Sequence, residues 1–210
     1  TWFASALYFA SARWGNDGDV DYEAEANRIL YAGTHKTEMK YSDGILDMFN
    51  QDEKQVVQGP ESGTNTYTDA SYHTPIFYQV WAEKANQSND LFADMVNTSR
   101  TYFQASVSEE WGNQDTGLMP DMSTFDGEPY DKGSGDHQEF RYDAWRVIAM
   151  VASDLEWFGK DEAGTWAVEF ANKYLQFFYD EGIDSYGSLY TLNGTCTSTT
   201  HSAGLVAMVT

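Results

Sequence analysis

The chain has 210 residues, of which 41% are hydrophobic and 16% aromatic, enough for one folded domain with a real core. Its formal net charge is −21, from 33 acidic and 12 basic residues, and this excess disfavours nucleic acids and anionic membranes as partners. Its one cysteine, Cys196, excludes an internal disulfide framework and any site built from several cysteines. No run of about 20 apolar residues predicts a membrane span.

The first third of the chain shows helical periodicity. Hydrophobic residues at positions 3, 7, 10 and 14 share one helical face, and Gly15 ends this helix. Asp21 is the expected N-cap of a second helix, which stops at Gly33. Thr74 followed by Pro75 is typical of a helix start, so another helix is predicted from that point.

Three further helices are predicted in the rest of the chain. The first covers residues 89–106, and the second, 143–158, is apolar on nearly every face, which indicates burial on all sides. The third follows a one-sided aromatic stripe between positions 166 and 178. Residues 188–193 are the single short strand candidate. The predicted fold class is therefore all-α.

Two long polar segments, 34–73 and 107–142, separate these helices. Loops of this length in a compact domain are usually functional, so catalytic side chains are expected where the segments meet helices. The aspartates Asp115, Asp121 and Asp126 lack the glutamate-terminated spacing of a calcium loop. We interpret these three as turn residues.

Asp143 falls where the second polar segment meets the most apolar helix. In a structural role it is a helix N-cap, worth about 1 kcal/mol. In a functional role it is a carboxylate kept ionised by the helix N-terminus, as a general base acting on water requires. Arg146 lies three residues later on the same helical face and can pair with it, while Tyr142 is placed to wall a sugar subsite. Position alone leaves both roles open.

Two other polar clusters precede helices. Tyr72 and His73 end the first long segment and would be presented at a helix start, although Tyr72 is equally explained by packing and Asp69 as a turn former. His201 opens the last apolar segment, where a lone histidine is more often a satisfied cap than a ligand. No group of His, Cys and carboxylates has the spacing of a zinc site.

Five segments, taken in chain order, resemble glycoside hydrolase family 8. They include a D-x-S-Y-H-x-P-x-F-Y segment, a base-bearing F-R-Y-D-A-W-R-V segment and a closing H-S-x-G-L-V-A-M element. The matched ranges are 2–15, 69–78, 116–127, 140–147 and 201–208. Because they extend over nearly the whole chain in the same order, coincidence is a poor explanation. The subgroup suggested releases xylose from the reducing end of xylo-oligosaccharides.

The resemblance implies an (α/α)6 barrel, incomplete here, with helices missing at both ends and residues 1–210 forming one partial catalytic domain. It also implies hydrolysis of β-1,4-xylosidic bonds with inversion, by a monomer without a metal or an organic cofactor. The substrate would be a xylo-oligosaccharide or another β-1,4-glycan. A cytoplasmic location is expected from the subgroup, with secretion as the alternative.

The resemblance also assigns residues to the site. Asp143 takes the place of the general base, and Arg146 and Tyr72 match residues that hold the base and its water. His201 falls where the subgroup closes the cleft beyond the first leaving-group sugar. The residues that would contact the substrate are Tyr142, His73 and His201.

One departure from the family pattern is the general acid. In the family this acid is a glutamate in a segment that precedes the residues matched here, and a further active-site aspartate lies just before the position of Thr1. Inversion needs two carboxyl groups, so this chain by itself is expected to be inactive and poorly soluble.

Two alternatives remain open at the level of sequence. The first keeps the family and changes the action or substrate, to an endo-acting xylanase, a β-1,4-glucanase or a chitosanase. The second is a helical carbohydrate-binding protein without catalysis.

Overall fold

The computed structural model describes residues 2–39, 44–133, 135–159 and 162–210. Within them, helices carry most of the regular structure and strands are two or three residues long. The helices are α1 (Trp2–Trp14), α2 (Tyr22–Thr34), α3 (Lys36–Met39), α4 (Pro75–Lys84), α5 (Asn89–Ala105), α6 (Val147–Phe158), α7 (Glu162–Gly182) and α8 (Ala203–Val209). The strands are β1 (Phe49–Asn50), β2 (Gln55–Val56), β3 (Leu189–Tyr190) and β4 (Cys196–Ser198), and the 3₁₀ helices are Ala70–Tyr72 and Tyr142–Arg146. The all-α prediction is confirmed.

The chain divides into two compact units. The first comprises Thr1–Asn65 and Thr74–Ser99, and the second comprises Thr66–His73 and Arg100–Thr210. All of the candidate site residues lie in the second unit. The assignment of residues 1–210 to one catalytic domain stays a prediction. Among the described residues, none of the helices combines the length and apolar character that crossing a membrane requires.

The first unit is built around the hairpin of α1 and α2. The carboxylate of Asp21 accepts a hydrogen bond from the N–H of Ala24 at 2.9 Å, which confirms the predicted N-cap. The predicted apolar face of α1 is buried only in part, because Ala10 is buried while Phe3 and Trp14 are exposed. Ala4 is also buried, and a small side chain of this kind lets the facing helix approach closely.

The second unit has a large aromatic core beneath α6 and α7. The rings of Phe140, Tyr174, Phe178 and Tyr190 are fully buried and lie 5.1–6.5 Å apart in edge and tilted pairs. The predicted strand at 188–193 is confirmed in part, since β3 pairs with β4 in an antiparallel sheet. This core supports the segment that carries Asp143.

The predicted helix 143–158 is two elements. The 3₁₀ helix Tyr142–Arg146 comes first and α6 begins at Val147, so Asp143 lies within the first turn and Arg141 is the N-cap residue. The predicted N-cap role of Asp143 is therefore wrong. Burial on every side is also wrong, because Trp157 is half exposed. The side chain and the N–H of Asp143 instead make tertiary contacts.

The long polar segments are partly ordered by backbone pairing. Residues 34–73 contain α3, β1, β2 and the first 3₁₀ helix rather than one continuous loop. In the second segment, the N–H of Met122 donates to the carbonyl of His137 at 2.9 Å, and Thr68 and Ser123 exchange two backbone hydrogen bonds. These pairings bring residues from distant parts of the sequence to the site.

Candidate active site

Asp143 lies at the centre of the site and its side chain is 40% exposed. Its Oδ2 accepts from a terminal nitrogen of Arg146 at 2.8 Å and from the hydroxyl of Tyr72 at 3.4 Å. The spacing of three residues in the 3₁₀ helix brings Arg146 to Asp143, while Tyr72 is 71 positions away in the chain. Both contacts fall on Oδ2 and neither uses Oδ1. The carboxylate is therefore oriented from one side.

Tyr72 acts in this arrangement as a neutral donor. Burial, followed by electrostatic interactions with the carboxyl groups of Asp69 and Asp143, raises the pKa of the Tyr72 phenol to about 12. The guanidinium of Arg146 lies 5.9 Å from the centre of the Tyr72 ring. At neutral pH the hydroxyl keeps its proton and donates a hydrogen bond to the Asp143 carboxylate.

The 3₁₀ helix Ala70–Tyr72 is held by Asp69 and Ser71. The carboxylate of Asp69 accepts from the N–H of Ser71 at 2.7 Å and caps the helix. The Ser71 hydroxyl in turn accepts from Arg146 at 3.0 Å. Asp69 is thereby linked through Ser71 and Arg146 to Asp143.

Asp69 is a buried carboxyl group with a strongly perturbed pKa. Burial first, and the charge of Asp121 second, raise its pKa to about 8, although the hydrogen bonds from Ser71 act in the opposite direction. At neutral pH this carboxyl group is therefore mainly protonated. The interpretation of Asp69 as a simple turn former misses this burial, for which the sequence carries no local signal.

Asp121 also lies in the site, although its sequence context suggested a turn residue. One carboxylate oxygen accepts the N–H of Asp143 at 3.0 Å, and the other lies 2.6 Å from Nδ1 of His137. Neither Asp121 nor His137 was a sequence candidate. The one sequence signal for Asp121 was that it follows Pro120 within the range 116–127, which resembles the family.

Tyr142 has an unusual backbone conformation next to the carboxylate. Its φ is +41°, in the left-handed region that side chains other than glycine rarely adopt. The ring is half exposed, and the Arg141 guanidinium lies 5.8 Å from its centre. An exposed aromatic ring beside the carboxylate has the geometry to stack on a sugar.

His73 does not have the exposure that a substrate contact needs. Its side chain is fully buried, stacked on Tyr102 with ring centres 4.2 Å apart, and its Nε2 lies 3.0 Å from the Thr68 hydroxyl. Burial lowers the pKa of His73 to about 3, so the ring is neutral. The substrate-binding role predicted for His73 does not fit this placement, which is that of a core residue beneath the 3₁₀ helix.

His201 is exposed, and Tyr186 holds its ring in place. Its Nδ1 lies 2.8 Å from the carbonyl of Tyr186, and its ring packs edge-on against that tyrosine at 4.6 Å. The following helix, α8, packs against the 3₁₀ helix that carries Asp143. Among the described residues, no group of three or more His, Cys, Asp and Glu is arranged to hold a metal ion.

Curated relatives match most of this chain, although no family model matches it. The reducing-end xylose-releasing exo-oligoxylanase Rex8A of Paenibacillus barcinonensis is 37% identical over 196 residues, 91% of this chain and 47% of the relative. The reducing end xylose-releasing exo-oligoxylanase of Halalkalibacterium halodurans is 34% identical over 98% of this chain and 50% of its own length. Endoglucanase C of Ruminiclostridium cellulolyticum is 27% identical over 97% of this chain and 39% of its own length. The chain spans about half the length of the curated relatives it matches.

Solved structures of such relatives are also similar to this chain in fold. Rex8A complexed with xylose superposes with a TM-score of 0.84 at 33% identity, covering 99% of this chain and 53% of that one. A GH8 xylobiose complex from Teredinibacter turnerae has the same TM-score, identity and coverages.

The fold is thus that of about half of an (α/α)6 barrel, and the chain is a homologue of the family 8 glycoside hydrolases. Among these relatives, the chain is more similar to the reducing-end xylose-releasing exo-oligoxylanases, at 34–37% identity, than to the endoglucanases, at 27–28%.

Proposed function

We propose that the protein hydrolyses β-1,4-xylosidic bonds of xylo-oligosaccharides with inversion and releases xylose from the reducing end. The relatives with this activity in their names support the substrate, and solved relatives carry xylose or xylobiose. The observation that carries the proposal is the carboxylate of Asp143, held through Oδ2 by Arg146 and Tyr72.

Asp143 is the proposed general base. A base in an inverting hydrolysis must be ionised and must present an oxygen to the water that attacks the sugar. Arg146 and the neutral Tyr72 phenol both donate to Oδ2 and leave Oδ1 for that water. Their role is to hold the base in one orientation.

The partner of Asp143 must be a carboxylic acid about 6.5–9.5 Å away, which protonates the leaving oxygen. Asp69 and Asp121 lie near Asp143, but both are buried and do not face a substrate. We therefore place the acid in another part of the full-length protein.

The proposal assigns the sugar contacts to two exposed rings. Tyr142 lies beside the base and would stack on a xylose unit. His201, anchored on Tyr186, would end the cleft on the leaving-group side and so restrict that side to one sugar.

The test of the activity is a product analysis of the full-length protein on xylotriose and on its alditol, in which the reducing end is reduced. Xylose and xylobiose from the first substrate, with no product from the second, are expected because the enzyme would require an intact reducing-end sugar. Cleavage of both substrates, or of long xylan or β-1,4-glucan alone, would replace this proposal with an endo-acting family 8 enzyme, which the endoglucanase relatives make the second candidate. Binding of xylotriose without cleavage would indicate a carbohydrate-binding protein.

The role of Asp143 is tested by Asp143→Asn, which keeps the shape of the side chain and removes its basicity. Hydrolysis should fall by roughly two to four orders of magnitude, the usual contribution of a general base. Asp136→Asn is the matched control, because Asp136 lies in the same segment with its side chain 71% exposed. If both variants hydrolyse xylotriose at the wild-type rate, Asp143 is not the base.

A further inference from the structure

Asp121 contacts the main chain of Asp143 rather than its side chain. The residue is 3% exposed, and its Oδ1 accepts the N–H of Asp143 at 3.0 Å. Its Oδ2 lies 2.6 Å from Nδ1 of His137, whose side chain is 25% exposed. When the Asp121 carboxylate is ionised it can only accept hydrogen bonds, and Nδ1 of His137 is then the donor.

Backbone pairing sets this contact between Asp121 and His137. The N–H of Asp121 donates to the carbonyl of Glu139 at 3.0 Å, and the N–H of Met122 donates to the carbonyl of His137 at 2.9 Å. These backbone hydrogen bonds alone set the register between residues 121–122 and residues 137–139. The carboxylate and the imidazole meet because the backbone places their residues opposite each other.

The contact matters because Tyr142, directly before Asp143, is strained. A residue with a side chain at φ +41° persists only where its surroundings hold it. On one side, Phe140 exchanges two backbone hydrogen bonds with Tyr190, at 3.0 and 3.1 Å. On the other side, the hydrogen bond from Asp143 to Asp121 holds the chain. The strained residue is thus held between two anchors.

His137 in turn keeps Asp121 in place. Burial raises the pKa of Asp121, and the hydrogen bond from His137 opposes that effect by favouring the ionised form. The Asp121 carboxylate also lies near the negative charge of Asp143, so a donor is needed to hold it at this position. His137 supplies that donor on the side away from Asp143.

We propose that Asp121 and His137 are positioning residues for the general base, which fix the main chain of Asp143 and thereby the direction in which Oδ1 faces its water. Arg146 and Tyr72 hold the carboxylate, while Asp121 and His137 hold the backbone from which it extends. This inference rests on the proposed function, because it takes Asp143 as the base.

The experiment measures kcat and KM on xylotriose for His137→Ala and His137→Asn in the full-length protein. The alanine variant removes the donor to Asp121, and kcat should fall roughly 10- to 100-fold, the scale of a misplaced catalytic group. KM should change less than about threefold, because the residue does not contact the sugar. The asparagine variant places an amide N–H where Nδ1 was and should recover most of kcat.

Asp121→Ala is the second variant and should lower kcat at least as much as His137→Ala. If it fails to fold, the His137 pair still decides, since that side chain is partly exposed. The control is Asp154→Asn, which breaks the ion pair of Asp154 with Arg100, 2.7 Å apart in the same unit. It should lower the melting temperature and leave kcat unchanged at a temperature at which the variant is folded.

The outcomes separate this inference from the proposed function. Wild-type kcat in His137→Ala, or equal losses in the alanine and asparagine variants, overturns the positioning role while hydrolysis by the wild type stands. An inactive wild type, or an active Asp143→Asn variant, overturns the proposed function and this inference with it.

Discussion

Burial of the Asp69 carboxyl group raises its pKa and so makes the stability of the protein depend on pH. The Asp69 carboxyl has a pKa of about 8 in the folded chain and an ordinary value of 3.8. Between these values the folded state binds a proton that the unfolded state has released, so the free energy of unfolding falls as pH rises. The stabilisation by this group is complete below about pH 3.8 and is lost by about pH 8.

The prediction is that Asp69→Asn gains stability relative to wild type as pH rises from 6.5 to 9. The amide keeps an oxygen that can accept from the N–H of Ser71 and carries no charge in this range. Melting temperatures of both proteins across that range test this, with Asp136→Asn as the control for removing one negative charge. A constant difference between the variant and the wild type would show that Asp69 does not titrate here.

His73 affects the stability of both proteins at lower pH. Burial lowers the pKa of His73 from 6.5 to about 3, so below pH 6.5 the unfolded chain binds a proton that the folded chain does not. That effect lowers stability as pH falls, which is the opposite sign to Asp69. Above pH 6.5 only Asp69 of the two contributes.

At the scale of elements, the second polar segment is organised by close backbone contacts. Gly127 has φ +87°, and a Cβ on this residue would lie 2.9 Å from the backbone nitrogen of Ser106, directly after α5. Both the conformation and the space require glycine. The contact joins the end of a helix to the segment that carries Asp121.

Gly127→Ala is therefore predicted to lower the free energy of unfolding more than Gly15→Ala. Gly15 has a similar φ of +77°, but a Cβ there would meet nothing within 4 Å, so it shows the conformational cost alone, about 1–2 kcal/mol. Overlap with Ser106 should add roughly 1 kcal/mol or more at Gly127. Urea denaturation of the two variants gives the comparison, and equal losses would mean that the backbone moves to accept the methyl group.

Sequence periodicity predicted the helices better than their buried faces. The N-cap at Asp21 was correct because capping depends on residues adjacent in the chain. The start of α4 after Thr74 was also correct, with Pro75 in its first turn, although the Thr74 side chain makes no capping hydrogen bond. The predicted face of α1 was correct only in part, because the small side chains of Ala4 and Ala10 are buried while Phe3 is exposed. Local signals determine where a helix begins, whereas its neighbours determine which side is covered.

At the scale of the whole molecule, exo or endo action depends on what closes the cleft. His201 is the proposed barrier, held by the Tyr186 carbonyl at 2.8 Å and followed by α8, which packs on the 3₁₀ helix of the base. Because α8 packs on the 3₁₀ helix that carries Asp143, His201 would lie at a constant distance from the base. The length of the leaving group would then be a property of the fold.

We therefore predict that His201→Ala in the full-length protein accepts longer leaving groups. Xylotetraose should yield xylobiose in addition to xylose and xylotriose, because the space beyond the first leaving-group sugar would be open. Thr197→Ala, on the exposed β4, is the matched control and should give the wild-type products. An unchanged product pattern in His201→Ala would remove the reason for placing the barrier at this residue.

The sequence by itself determined the all-α fold, the family resemblance, and Asp143, Arg146 and Tyr72 as a candidate set, because periodicity and motif spacing are written locally. Only the tertiary structure decided that His73 belongs to the core, that Asp143 follows a strained residue, and that Asp69 and Asp121 are buried beside it. Aspartate in a polar segment looks the same in sequence whether it faces water or another carboxylate. The difference depends on which distant residues the fold brings next to it, and for Asp121 these are His137 and the N–H of Asp143.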